Sequence, residues 1–296
     1  MKRKVALIGP STLMLSLPSK FVKKFGIKKG DELEVEENGA SLSIKVSENR
    51  KNEIKEVDLA NYEVMLKRII GAIYKKGYNE VKLFFNNPKQ LEIIYKTVNE
   101  NLTGLDVINH TKNFIVVKEV SKGSIEDFDN ILRRSFLFVL SSAQESLELI
   151  KQGKYKELQS IALKDSIINK YTDFCRRLLN KGYFSTEKSN SLYYIIEQLE
   201  KIGDIYKEIC LILSNDKIKA SKDLIKRYAE VNKFLESCYN LFYEFNLEKF
   251  DKFGVHFKSF AKVNQNNKED NEIFSYLDKA KDLIFDINGA IAVYNL

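Results

Sequence analysis

The sequence predicts a multi-domain α+β protein. A small β-rich head occupies 1–47, an α/β connecting or dimerising module 48–122, and a mostly α body 123–296, in three-helix halves 123–214 and 215–296. Three observations predict this order. The first 47 residues alternate apolar and polar side chains around a single short helical stretch. The middle stretch switches between helical and strand periods. From Ser124 onward apolar residues recur almost wholly at spacings of three and four.

In the head, Val5–Ile8 and Leu13–Leu17 read as strands. Pro18 suits the first turn of a helix over Ser19–Lys24, where its missing N–H costs little. Gly26 is placed as the left-handed stop of that helix. Lys29-Gly30-Asp31 forms a turn. Leu33 and Val35 then alternate with Glu34 and Glu36 as a half-buried strand, Asn38-Gly39 signals a hairpin, and Leu42, Ile44 and Val46 form the return strand.

In the second unit Val57, Met65, Leu66, Ile69, Ile70 and Ile73 recur at helical spacing, and Gly77 ends the helix. Val81, Leu83, Phe84 and Phe85 form a strand. Pro88 opens a helix through Leu91, Ile94, Tyr95 and Val98, and strands follow at Leu105–Ile108 and Phe114–Val120. The expected order is α-β-α-β-β.

The body divides at Gly153, Gly182, Ser214-Asn215 and Asn264–Asn267 into about six helices: 125–151, 154–180, 186–213, 216–245, 247–263 and 269–293. The third carries a heptad seam at Leu192, Ile195, Leu199, Ile202, Tyr206, Ile209 and Leu213.

Charge is distributed unevenly. The chain carries a formal net charge of +7. The first thirty residues hold eight basic side chains (Lys2, Arg3, Lys4, Lys20, Lys23, Lys24, Lys28 and Lys29) and no acid before Asp31. Cations held on a folded β scaffold suit a polyanion such as DNA, although a solvated Lys/Arg face is the plainer reading of charge alone. No apolar run reaches the roughly 18 residues of a membrane helix. The apolar stretch after Met-Lys-Arg-Lys is broken by Gly9-Pro10-Ser11-Thr12, which argues against a signal peptide. Cys175, Cys210 and Cys238 are odd in number and far apart, as expected of buried thiols in a reduced, cytoplasmic protein.

The head resembles the AbrB/SpoVT swapped-hairpin domain. The resemblance is carried by Arg3-Lys4-Val5, Ser11-Thr12-Leu13, Ser16-Leu17-Pro18-Ser19-Lys20-Phe21-Val22 and Phe25-Gly26-Ile27-Lys28-Lys29-Gly30-Asp31. It implies a homodimer in which two chains interleave hairpins into one small barrel. Double-stranded DNA would then be gripped through its phosphates by Arg3, Lys4, Lys20, Lys23, Lys24, Lys28 and Lys29. Some 47 residues make a marginal core alone, which agrees with the need for a partner.

In the body, Glu200-Lys-Ile-Gly-Asp204 and Asp282-Leu-Ile-Phe-Asp286 each place two carboxylates on one helix stripe, and Asp165, Asn169 and Asp173 share another. Hard cations want clustered oxygens, but on spacing alone a solvated face is the plainer reading. The run Tyr194 to Ile209, with Leu132–Leu140 and Asp165–Lys170, resembles PhoU, a phosphate-uptake regulator of two three-helix bundles, and its archaeal-type relatives. That resemblance implies a divalent or ferric metal at Glu200, Asp204, Asp165, Asp282 and Asp286. Asn169 stands where a carboxylate is expected, and the fifth helix offers no acidic counterpart.

Histidines are two, His110 and His256, and neither sits three residues after a carboxylate in a Glu-x-x-His ligand pair. No glycine-rich phosphate loop is present, and no enzymatic constellation emerges. The expectation is a cytoplasmic, dimeric DNA-binding regulator of phosphate-responsive genes with a helical sensor body and no membrane insertion. Two alternatives stay open. In one, an adaptor docks on a phosphate transporter or signalling protein and the head only dimerises. In the other, an antitoxin-like head binds another protein.

Overall fold

The computed structural model describes residues 2–38, 41–46, 54–215, 219–260 and 270–296. The chain separates into two compact units, Met1–Lys55 and Glu56–Leu296.

The first unit holds two antiparallel hairpins and one helix. Strands β1 (Val5–Ile8) and β2 (Thr12–Leu15) pair with Val5 opposite Leu15 and Leu7 opposite Leu13. Helix α1 spans Ser19–Phe25 and ends as expected at Gly26, whose φ of 64° is left-handed. Strands β3 (Leu33–Asn38) and β4 (Ser41–Val46) pair with Val35 opposite Ile44. Asn38 faces Ser41, the register of a two-residue hairpin. Gly39 itself lies outside the described residues.

The second unit begins with a four-stranded sheet in the order β5-β6-β8-β7. Its strands are β5 (Lys55–Asp58), β6 (Glu80–Phe84), β7 (Leu105–His110) and β8 (Phe114–Glu119); β6 and β7 each run antiparallel to β8. Helices α2 (Leu66–Lys75) and α3 (Pro88–Asn101) supply Leu66, Ile70, Tyr74, Ile94 and Val98 to a core with Val81, Leu83, Ile115 and Val117. The observed order is therefore β-α-β-α-β-β. Val57 belongs to a strand and not to the helix its spacing suggested. Four residues with one inward apolar side chain are too few for periodicity to separate the two states. Asn87 caps α3 by accepting from the Gln90 N–H, with Pro88 in the first turn. The fully buried Gln90 amide donates to the carbonyls of Leu59, Ala60 and Tyr62, pinning the chain after β5.

The body follows as α4 (Ile125–Lys151), a 3₁₀ turn (Tyr155–Glu157), α5 (Leu158–Ala162), α6 (Asp165–Asn180), α7 (Thr186–Asn215), α8 (Lys222–Tyr243), α9 (Leu247–Lys258) and α10 (Asn271–Asn295). Ser124 and Asp127 close a reciprocal capping box at the start of α4. The helix expected over 154–180 is broken at Leu163-Lys164. The apolar stripe stays in phase across the break, through Ile161, Ile168, Thr172 and Cys175, so periodicity alone read it as continuous. The expected start of α8 at 216 and the end of α9 at 263 lie outside the described residues; α8 begins after Ser221, which caps it. All seven seam residues of α7 are buried. One apolar core runs through both helical halves, from Phe136 and Ile195 to Phe234 and Ile284.

The α/β module is fastened to the body through α6. Arg177 donates to the carbonyls of Tyr74 and Tyr78 at 2.8 Å each, at the C-terminal end of α2, and to Glu119 at the end of β8. Lys181 holds both oxygens of the same carboxylate, at 2.6 and 2.7 Å. Among the described residues no helix is long and apolar enough to cross a membrane.

Candidate functional site

The basic residues of the head lie on three adjoining segments of one unit. Lys20, Lys23 and Lys24 sit on α1, where spacings of three and four bring them to one face. Phe21, Val22 and Phe25 are half-buried while all three lysines are exposed. The Phe21 and Phe25 rings lie 4.8 Å apart, and the Lys24 ammonium sits 5.2 Å from the Phe25 ring centre. Lys23 and Lys24 fall in the last turn, where the helix dipole favours cations. Lys28 and Lys29 follow in the turn after Gly26 and are exposed. The first acid of the chain closes this turn, because the Asp31 carboxylate accepts from the Lys28 backbone N–H at 2.7 Å. Arg3 and Lys4 lie just before β1, and Arg3 donates to the Ser16 hydroxyl at 3.4 Å.

Around these cations the head exposes its apolar side chains. Val5 and Leu15, Leu7 and Leu13 form two cross-strand pairs that are each more than half open to solvent. Val35 and Leu42 of the second hairpin are equally open. A two-stranded hairpin with no covered face is at best marginally stable in water, and an apolar surface rimmed by polar groups marks an interaction site.

Four of the five carboxylates expected to hold a metal, Asp165, Glu200, Asp204 and Asp282, meet cations of the chain itself. The Lys207 ammonium lies 3.0 Å from Asp165 and 2.9 Å from Asp204. Glu200 accepts from the Thr172 hydroxyl at 2.9 Å and pairs with the Arg176 guanidinium, which also holds Asp173 and Glu197. Asp282 pairs with Lys281 at 3.1 Å. Asp286 lies near enough to Tyr194 that its charge, second to burial, helps raise the phenol above its ordinary pKa. Among the described residues no three His, Cys, Asp or Glu side chains gather as a ligand set. With Lys207 and Arg176 already paired to them, Asp165, Glu200 and Asp204 as they stand do not fit a metal ion.

Sequence reasoning missed the cations. Arg176 and Arg177 are both almost wholly buried. The signal was the position of Arg176 and Lys207, each on a helix turn beside a carboxylate, at spacings that read equally well as surface pairs. The three thiols are buried as expected, and burial pushes Cys210 and Cys238 up to about 12.

The family described as antidote-toxin recognition MazE, bacterial antitoxin, matches residues 7–54. That span takes in the second half of β1, β2, α1, the second hairpin and the lysines from Lys20 to Lys29, so the front of the chain carries a MazE/AbrB-like domain. No curated protein and no solved structure matches the chain.

Proposed function

We propose that the chain is a DNA-binding regulator in which two copies join their heads and grip the duplex through phosphates. The observation that carries this reading is the coincidence of two features on the head. Lys20, Lys23, Lys24, Lys28 and Lys29 are exposed with no acid before Asp31. The hairpins beside them lack cover for Val5, Leu7, Leu13 and Leu15. A second copy would bury the apolar pairs and double the cationic surface. Phosphate contacts from this surface position the protein without reading sequence. That the controlled genes answer to phosphate is the finer part of the proposal, and it rests on the helical-body resemblance alone.

The test is binding of the full-length chain to duplex DNA across a salt series. With about eight phosphates neutralised per dimer, log K falls against log salt with a slope near −7. Lys20→Glu with Lys24→Glu removes binding and leaves the fold intact by circular dichroism. Binding that survives both changes, or is flat from low to high salt, removes the reading. A second reading has an observation of its own, the description of the matched family. In it the head recognises a toxin-like protein, and a stoichiometric protein partner that co-purifies through the exposed hairpins would favour it.

A further inference from the structure

We propose that Lys207 serves as an internal cation on the α6–α7 face, so that Asp165 and Asp204 are held together without a metal ion. The argument starts from charge. Asp165 on α6 and Asp204 on α7 face each other across the helix pair. Two carboxylates in such a position repel unless a cation lies between them. A lysine ammonium is there, within hydrogen-bond distance of both. Its stem leaves α7 one turn after Asp204, so Lys207 can take no part in this bridge unless it lies across the gap to α6.

The rest of the stripe is adjusted to a single positive charge. A hard cation would want three or more anionic oxygens. Asn169 supplies an amide one turn along α6, and its nitrogen donates to the same Asp165 oxygen that meets Lys207. The other oxygen of Asp165 and the carbonyl oxygen of Asn169 are buried and have no hydrogen-bond partner. These two atoms are the ones a metal would recruit if the ammonium were absent. Farther along the same helices the solution recurs: Arg176, buried to 1 % exposure, stands among Asp173, Glu197 and Glu200. Both positions therefore carry cations that no chelator can remove and that no change in metal supply can displace.

The experiment is a titration of the full-length chain with Mn²⁺ alone, with free ion measured by electron paramagnetic resonance. Wild type is expected to show no binding that Asp165→Asn abolishes, up to about 1 mM, the weak end of carboxylate sites. Lys207→Met keeps the aliphatic stem and removes the charge. It is expected to bind Mn²⁺ at least about tenfold more tightly than wild type, and Asp165→Asn is expected to abolish the gain. Lys207→Arg keeps the charge and shows no gain. If Lys207→Met does not fold by circular dichroism, Lys207→Gln takes its place. Wild-type binding as tight as that of the neutral variant, lost in Asp165→Asn, overturns the proposal. So does a folded neutral variant that gains nothing.

Discussion

Arg176 and Arg177 are neighbours on α6, both buried to 1 % exposure, and they serve different parts of the molecule. Successive helix residues point about 100° apart. Arg176 therefore reaches Glu197 and Glu200 on α7, while Arg177 reaches the carbonyls of Tyr74 and Tyr78 and the carboxylate of Glu119. Tyr74 and Tyr78 flank the end of α2, where the Tyr74 carbonyl also accepts from the Gly77 N–H that closes the turn. A guanidinium there adds charged donors to these carbonyls and meets the negative end of the helix dipole. Asn180, one turn on, donates to the Lys75 carbonyl in the same way. One helix is thus fastened to the bundle on one side and to the α/β module on the other.

Removing the Arg177 charge should be costly. Arg177→Met leaves Glu119 short of one cation and the carbonyls of Tyr74 and Tyr78 without their charged donor. Breaking a buried pair on one side costs about 3–5 kcal/mol, and Lys181 still holds Glu119, which points to the lower end. The expected result is a loss of about 3 kcal/mol in urea unfolding, with Glu119→Gln losing less. A change under about 0.5 kcal/mol for Arg177→Met, the range of ordinary surface substitutions, would count against the joint.

Two glycines mark how closely this joint is packed. Gly77 has φ +89°, and a Cβ there would lie 2.9 Å from Lys181 Cγ. At Gly123 a Cβ would meet Leu178 Cδ2 and Phe174 Cζ at 2.8 Å each. Gly77→Ala combines backbone strain with a clash against a flexible side chain, and about 1–2 kcal/mol of destabilisation is expected. Gly123→Ala meets packed core side chains with less room to yield, and about 1–3 kcal/mol is expected. Thermal unfolding of each variant checks both.

Much of the backbone was legible because local chemistry and tertiary packing agree. The α1 stop at Gly26, the α3 start at Pro88 and the α7 seam follow from residues whose preferences the fold honours. Strand β5 was not legible, since Val57 is its one inward apolar residue between Glu56 and Asp58. The carboxylate stripes were visible as stripes, but their occupants were not. A pair such as Asp204 and Lys207 looks alike in sequence whether the ammonium waves in water or bridges to Asp165 on another helix. Arg177 was hidden for the same reason: two of its partners are backbone carbonyls about a hundred residues away, which leave no trace in side-chain pattern, and its carboxylate partner Glu119 lies on another element.

The thiols should be inert in the folded chain. Cys175, Cys210 and Cys238 are buried, and burial raises all three thiol pKa values, so almost no thiolate exists at neutral pH. A chromogenic disulfide reagent at pH 8 is expected to label none of the three within minutes, and all three after guanidinium is added. Rapid labelling of the native chain would show that the helical core opens.

The exposed hairpin pairs make an association prediction. Leu7 and Leu13 stand opposite each other and largely open. If a second copy covers them, Leu7→Asp should convert a dimer to a monomer in sedimentation and weaken DNA binding together with it. Retention of the dimer in Leu7→Asp would place association elsewhere and leave the head's apolar faces for another partner.

His256 gives the chain a definite pH response. Its ring lies flat against Phe260 at 5.6 Å between centres and edge-on to Phe234 at 5.0 Å. Burial lowers its pKa below the ordinary histidine value; the charge of Lys233 acts the same way, and Glu230 opposes both. A histidine whose folded pKa is depressed binds a proton more readily when unfolded. The unfolded chain therefore takes up protons first as pH falls through about 6.5, and the folded state loses stability between that pH and the lower folded value. Above about 7 the ring is neutral in both states and contributes no slope. The expected outcome is a drop in melting temperature between pH 7 and pH 5.5 that is smaller in His256→Phe, which stays apolar throughout and keeps the ring contacts. Equal drops in the two proteins would assign the acid sensitivity to other groups.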